Sequence, residues 1–196
     1  MRRWMVTYIS IAFMAACTCA AQPRPSVLIA YYSKGGHTRE MAEAVARGAQ
    51  SVRGVVVRLK NVAETTNEDL LGADAVIVGS PVYNANAAAE VISFINRWPF
   101  EGSPMKDKIG AVFVTGGGIS AGEELTQVNI LHSMLIFGMI VVGGPEWTEP
   151  FGASAITGEA PFERSEAGDA VAPAFLRKGE ALGKRVADIA IRLSKK

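Results

Sequence analysis

From Val27 onward, short unbroken apolar runs alternate with longer stretches in which apolar residues recur every three or four positions. The runs are Val27–Ala30, Val55–Leu59, Asp74–Ser80, Lys108–Thr115 and Ile140–Gly143. Asp74–Ser80 shows no alternation of polar with apolar, the pattern of a parallel strand covered on both faces. Between them lie four helical patterns. Residues 39–50 repeat Met41, Ala44, Val45 and Gly48; residues 87–97 carry Val91, Phe94, Ile95 and Trp98 on one side. Residues 123–135 turn Leu125, Val128, Leu131 and His132 inward, and residues 173–193 repeat Phe175, Leu182, Val186, Ile189 and Leu193. The polar segment around Glu68–Leu71 and the Gly- and Pro-punctuated stretch 145–170 read as connections. Five strands alternating with helices predict an α/β, doubly wound parallel sheet with helices on both faces.

Ligands of such sheets bind beyond the carboxyl ends of the strands. Three strand ends carry loops unlike routine connectors. Ser33-Lys34-Gly35-Gly36-His37-Thr38 runs from the first strand straight into a helix, presenting backbone N–H groups at the helix's positive end, a site for phosphate. Its lysine precedes the glycines, so it is no Walker loop. His37 is expected to contribute its backbone N–H more than its imidazole. Ser80-Pro81-Val82-Tyr83-Asn84-Ala85-Asn86 follows the third strand as a loop. Thr115-Gly116-Gly117-Gly118-Ile119-Ser120-Ala121-Gly122 follows the fourth, its glycines letting backbone approach a flat ligand. Tyr83 and Trp98 could stack on an aromatic ring, with core or interface the competing role for Trp98. His132, on an apolar helix face, reads as a core histidine.

The first residues break this pattern. Arg2-Arg3 precedes an uncharged, mostly apolar run, Trp4–Ala16, too short for the about 20 residues of a membrane span. A basic start and a short apolar core make residues 1–21 a signal peptide, with a buried N-terminal helix as the alternative. Met14-Ala15-Ala16-Cys17 resembles a lipobox, which makes Cys17 a lipidation site and the domain a peripheral membrane protein; cleavage after Ala20 or Ala21 is the other outcome. Residues 22–26 form a stiff linker, and residues 27–196 the domain. These readings predict an exported, periplasmic-side protein, against a cytoplasmic alternative.

Composition narrows the chemistry. A net charge of +1 gives no bulk attraction to nucleic acid. Both cysteines, Cys17 and Cys19, belong to the leader, so the domain uses no thiol, disulfide or Cys-bound metal, and two histidines make no metal site.

The three loops, in this order, resemble the flavodoxin-like superfamily, and within it the WrbA-type NAD(P)H:quinone oxidoreductases of the NADPH-dependent FMN reductases. The resemblance rests on Tyr31-Tyr32-Ser33 through Gly36-His37-Thr38, Gly79-Ser80-Pro81, Thr115–Gly118, and Phe151-Gly152-Ala153 with Ile156, and it covers residues 27–193. It implies a flavodoxin-like sheet of order 2-1-3-4-5. It implies FMN, its phosphate held by Ser33, Lys34, Gly35, Gly36, His37 and Thr38. Pro81, Val82, Tyr83 and Asn84 would run along the isoalloxazine, and Thr115, Gly116, Gly117, Gly118, Ser120 and Gly122 along the pyrimidine edge and ribityl chain. Phe137 stands where these reductases place a flavin-contacting histidine. The activity implied is transfer of a hydride from NAD(P)H to a quinone-like acceptor, in a homo-oligomer, with no catalytic side chain. The alternative is a membrane-tethered electron carrier reduced by a protein partner, because nicotinamide donors are cytoplasmic.

Overall fold

Val27, Leu28, Ile29 and Ala30 are all fully buried, because successive side chains of one strand enter two different cores. Val27 and Ile29 face Met41, Val45, Leu182 and Val186 on one side of the sheet. Leu28 and Ala30 face Val91, Phe94, Trp98, Ile130 and Met134 on the other. This is the two-sided cover that the unbroken apolar runs predict.

The computed structural model describes residues 24–162 and 171–194; the leader with Cys17 lies outside them. In chain order the elements are β1 (Ser26–Tyr31), α1 (His37–Gln50), β2 (Val56–Asn61), α2 (Asn67–Leu71), β3 (Ala75–Tyr83), β4 (Asn86–Ala87), α3 (Ala89–Ile95), β5 (Ile109–Gly116), α4 (Glu123–Ile136), β6 (Ile140–Val141), β7 (Ala153–Ile156) and α5 (Pro173–Ser194). The sheet runs β2-β1-β3-β5-β6 with every one of these pairs parallel, the predicted order 2-1-3-4-5. Helices α1 and α5 cover one face, α3 and α4 the other.

Four details differ from the sequence pattern. The fifth position is shared: β6 pairs with Ile109 and Gly110 of β5, the chain leaves, and β7 returns to pair with Phe113–Gly116. Four residues, one of them Ser154, are too few for a period to register within the predicted loop 145–170. The segment at Glu68–Leu71 is a short helix with a capping box: Thr66 Oγ1 accepts from the Asp69 N–H and the Asp69 carboxylate accepts from the Thr66 N–H. Lys60, at 2.7 Å, then holds the Asp69 carboxyl below the usual carboxylate range. The predicted loop Ser80–Asn86 is in fact the continuation of β3 and a tight hairpin. Val82 pairs with Ala87 and Tyr83 with Asn86, across Asn84 and Ala85, both at positive φ (51° and 59°), which makes a type I′ turn.

The fourth difference is on α4. Leu125 is 54% exposed and His132 is exposed, while Thr126, Gln127, Ile130, Leu131 and Met134 face inward. His132 is therefore not a core histidine. The helix has apolar residues on both sides, and a periodic pattern cannot say which side the sheet takes.

Close approach of α1 and α5 fixes the first helix over β1. Gly48 and Gly183 sit where a Cβ would overlap the carbonyls of Glu180 and Val45 respectively. The two backbones touch there, and Arg47 reaches Glu180 at 3.0 Å across the exposed rim.

Candidate functional site

The parallel register brings three strand ends level. Tyr31 lies opposite Gly79, Gly79 opposite Phe113, and Pro81 opposite Thr115. Gly79 is required by its neighbour, since a Cβ there would overlap the Phe113 ring. Beyond these ends opens a cleft of about 590 Å³, lined by Lys34, Gly35, His37, Thr38, Pro81, Val82, Tyr83, Thr115, Gly116, Gly117 and Thr157. All three loops singled out in the sequence contribute to it.

The first loop is built to bind an anion. The Ser33 hydroxyl accepts the Gly36 N–H at 3.2 Å, folding the loop back on itself. Gly36 adopts φ 97°, a conformation glycine takes without penalty, and a Cβ there would meet nothing within 4 Å. Its carbonyl takes the Glu40 N–H at 3.0 Å, so α1 begins at once, two residues before the predicted start. The amides of His37, Thr38 and Arg39 then have no carbonyl within the helix to bond, and they stand at its positive end. His37 Nε2 is buried without a partner among the described residues, and Lys34, which lines the same cleft, is exposed. An open glycine cradle, free first-turn amides and an orphaned imidazole nitrogen together fit a phosphate.

Thr38 ties this loop to the third. Its hydroxyl and that of Thr115 form a buried hydrogen bond of 2.8 Å, joining α1 to the end of β5. Past Thr115 the glycine loop is pinned from the β7 side. Thr157 donates both its N–H (2.9 Å) and its hydroxyl (3.1 Å) to the Gly116 carbonyl. Gly158 packs against the Gly117 backbone, and Glu159 accepts the Ile119 N–H at 2.6 Å. Ser120, at φ 58°, gives its N–H to Glu123 at 3.0 Å. Gly122, at φ 99°, lies so close to Ala85 that a Cβ would collide with it, so the hairpin tip and the glycine loop support each other.

The predicted residues therefore divide by place. Lys34, Gly35, His37, Thr38, Pro81, Val82, Tyr83, Thr115, Gly116 and Gly117 line the cleft. Ser33, Gly36, Gly118, Ser120 and Gly122 shape its loops, and Asn84 forms the hairpin turn. The sequence pattern does not mark Thr157 and Glu159; the one signal is a Thr-Gly pair directly after the short β7. Trp98 is core, stacked edge-on against Phe94 at 5.6 Å and tilted against Phe137 at 5.3 Å. Phe137 follows the last turn of α4, at the end of the helix opposite the cleft, and packs on Trp98 and Phe100. Next to the cleft, burial raises the Tyr31 phenol pKa, and a hydrogen bond to Glu90 raises that of Tyr32. Among the described residues, the titratable groups that line the cleft itself are Lys34, His37 and Tyr83, with no carboxylate.

A doubly wound sheet of this order, with a phosphate cradle after β1 and two backbone-rich walls, defines a flavodoxin-like domain. The family model for NADPH-dependent FMN reductase matches residues 24–154, and the chain belongs to that family of FMN-dependent NAD(P)H oxidoreductases. It is 33% identical to the NAD(P)H dehydrogenase (quinone) of Geotalea uraniireducens, over 86% of this chain and 99% of that protein. It is also 35% identical to a flavodoxin of Aquifex aeolicus, over 71% and 78% of the two chains. Among solved structures, a WrbA-like flavodoxin from Agrobacterium tumefaciens superposes with a TM-score of 0.70 at 21% identity, covering 86% of this chain and 98% of that one. An archaeal flavodoxin gives 0.65 at 22%, covering 85% and 99%; these two likenesses concern the fold.

Proposed function

We propose that this protein holds FMN in the cleft between its three loops and passes electrons from a reduced nicotinamide to a quinone-like acceptor. The observation that carries the reading is the cradle at Gly36, open where a Cβ would stand and leading directly into the cleft. Ser33 to Thr38 would hold the phosphate, through amides at the positive end of α1 and the charge of Lys34. Pro81 and Val82 on one side and Gly116 and Gly117 on the other would bound the ring system. Tyr83, 42% exposed, stands at the rim, where the nicotinamide or acceptor would pass. Bound FMN would supply the hydride chemistry, while the protein contributes binding and orientation.

The alternative is an electron carrier without nicotinamide activity, which the flavodoxin among its relatives favours. Export would favour it as well, since the leader pattern would carry the domain away from cytoplasmic nicotinamides. One assay separates the two: the full chain is purified, loaded with FMN, and followed at the NAD(P)H absorbance with a water-soluble quinone present. Sustained turnover is expected. A yellow protein whose flavin is reduced by dithionite but not by either nicotinamide would make it a carrier. A protein that takes up no FMN would sink both readings.

A further inference from the structure

A second groove, of about 420 Å³, lies between the end of β2 and the outer side of α3. Its floor is apolar, made by Val62, Ala63 and Ala89. Polar groups stand around that floor in an order the elements set. Glu90, Ser93 and Arg97 recur at helical spacing along α3 and the turn after it, all three exposed. Asn61, the last residue of β2, and Tyr32, just past β1, close the opposite wall. Both walls continue into the cleft. Tyr32 precedes Ser33, the first residue of the cradle, and Ala89 comes two residues after the β3–β4 hairpin that carries Val82 and Tyr83. A ligand seated in the cleft has room to extend into the groove.

The polar groups keep most of their bonding capacity for a ligand. Arg97 gives one N–H to the Val62 carbonyl at 3.4 Å, and among the described residues no carboxylate pairs with it. Asn61 Oδ1 accepts the Ala63 N–H at 2.9 Å, which leaves the Asn61 NH2 group to donate. Glu90 accepts the Tyr32 hydroxyl. A planar guanidinium fork beside a hydroxyl and a carboxamide recognises a phosphate. An apolar floor beside a phenol ring takes a flat base, and a carboxylate accepts from ribose hydroxyls. Phosphate, ribose and base together describe a nucleotide. We infer that this groove takes the adenosine end of the nicotinamide coenzyme, with Arg97 on the 2′-phosphate that distinguishes NADPH from NADH. The inference rests on the nicotinamide reading of the cleft, and it adds the site and the residue that read the coenzyme's far end. Glu90 stands two helical turns from Arg97, about 10 Å along the axis, where solvent screens its repulsion of the phosphate. Arg97 is remote from the reacting atoms, so the preference it creates is one of binding and sits in KM for NADPH.

Calorimetric titration of the FMN-loaded full chain with 2′,5′-ADP and with 5′-AMP reads the groove without turnover. The 2′-phosphate is expected to tighten binding at least about tenfold, and Arg97→Ala should erase the difference. In steady state the same variant should lower kcat/KM for NADPH relative to NADH by at least about tenfold, through KM for NADPH. Arg97→Lys keeps the charge and loses the fork, and should fall between the parent and the alanine variant. Flavin uptake reports the fold of each variant, because Arg97 lies outside the cleft. Equal affinity for the two nucleotides, binding of neither, or a preference that survives Arg97→Ala would each overturn the inference. The titration is repeated without FMN. A chain that takes up no flavin therefore sinks the proposed function while the groove is still read, and a groove indifferent to the 2′-phosphate leaves the proposed function standing.

Discussion

Gly36 concentrates the chemistry of the site in a residue that has no side chain. Two substitutions separate its conformational role from its electrostatic one. Gly36→Ala keeps the cradle open, because its Cβ meets nothing within 4 Å, but forces an alanine to φ 97° at a cost of about 1–2 kcal/mol in stability. Gly36→Asp adds a carboxylate where the phosphate must approach, and should weaken FMN at least about a hundredfold, some 2.7 kcal/mol, by flavin fluorescence titration. Equal affinity in the Asp variant would show that the phosphate binds elsewhere. The glycines and hydroxyls of this cradle were legible in the sequence because one local segment supplies the whole anion site. Thr157 and Glu159 were not, since they reach Gly116 and Ile119 only after β7 has carried them back across the sheet edge. The Thr38–Thr115 bond, between residues 77 apart in sequence, was hidden for the same reason. Both threonines were nonetheless singled out, each from its own loop.

At the scale of elements, the periodic segments were legible and two short ones, β7 and α2, were not. The long apolar runs and helices of seven residues or more leave enough positions for a pattern to emerge. β7 and α2 have four and five residues, and what defines them is a sheet partner in one case and the Thr66–Asp69 capping box in the other. The facing of α4 is not legible in the pattern, because apolar residues on two sides give two equally good periodic faces. The α1–α5 pair shows an element-scale dependence that periodicity does not reveal: its contact is backbone against backbone at Gly48 and Gly183. Gly183→Ala would ordinarily favour a helix by about 1 kcal/mol. Here its methyl would strike the Val45 carbonyl, and the helices must separate, losing contacts around Leu182 and Val186. We expect a net destabilisation of about 2–3 kcal/mol in urea unfolding. Because α1 also carries the first-turn amides of the cradle, FMN affinity should fall with it. An unchanged or raised midpoint would mean that the two helices can part at little cost.

For the molecule as a whole, the parallel sheet gives the domain a direction that bears on where its electrons can go. Every central strand points its carboxyl end at the cleft, so the amino end of β1, where the leader joins, lies at the opposite pole. The end of α5 is there too, with Leu193 and Ser194 beside Asp74 and Lys108. The six residues of β1 put about 20 Å between that pole and the cradle. Were Cys17 lipidated, the residues from it to Ser26 could span at most about 30 Å, and a tether drawn up short of that reach would hold the domain by its amino pole, with the cleft away from the bilayer. A membrane-anchored form is therefore expected to serve a water-soluble acceptor better than a quinone dissolved in lipid. If Cys17 is lipidated, the full chain sediments with membranes and Cys17→Ser releases it. In proteoliposomes of the full chain, a short-chain soluble quinone should be reduced at the same rate as by the released variant, with no gain from a long-chain quinone in the same vesicles. A full chain that stays in the soluble fraction would remove the anchor. A marked preference for the lipid-dissolved quinone would mean that the domain lies on its side, and that the direction of the sheet does not choose the acceptor.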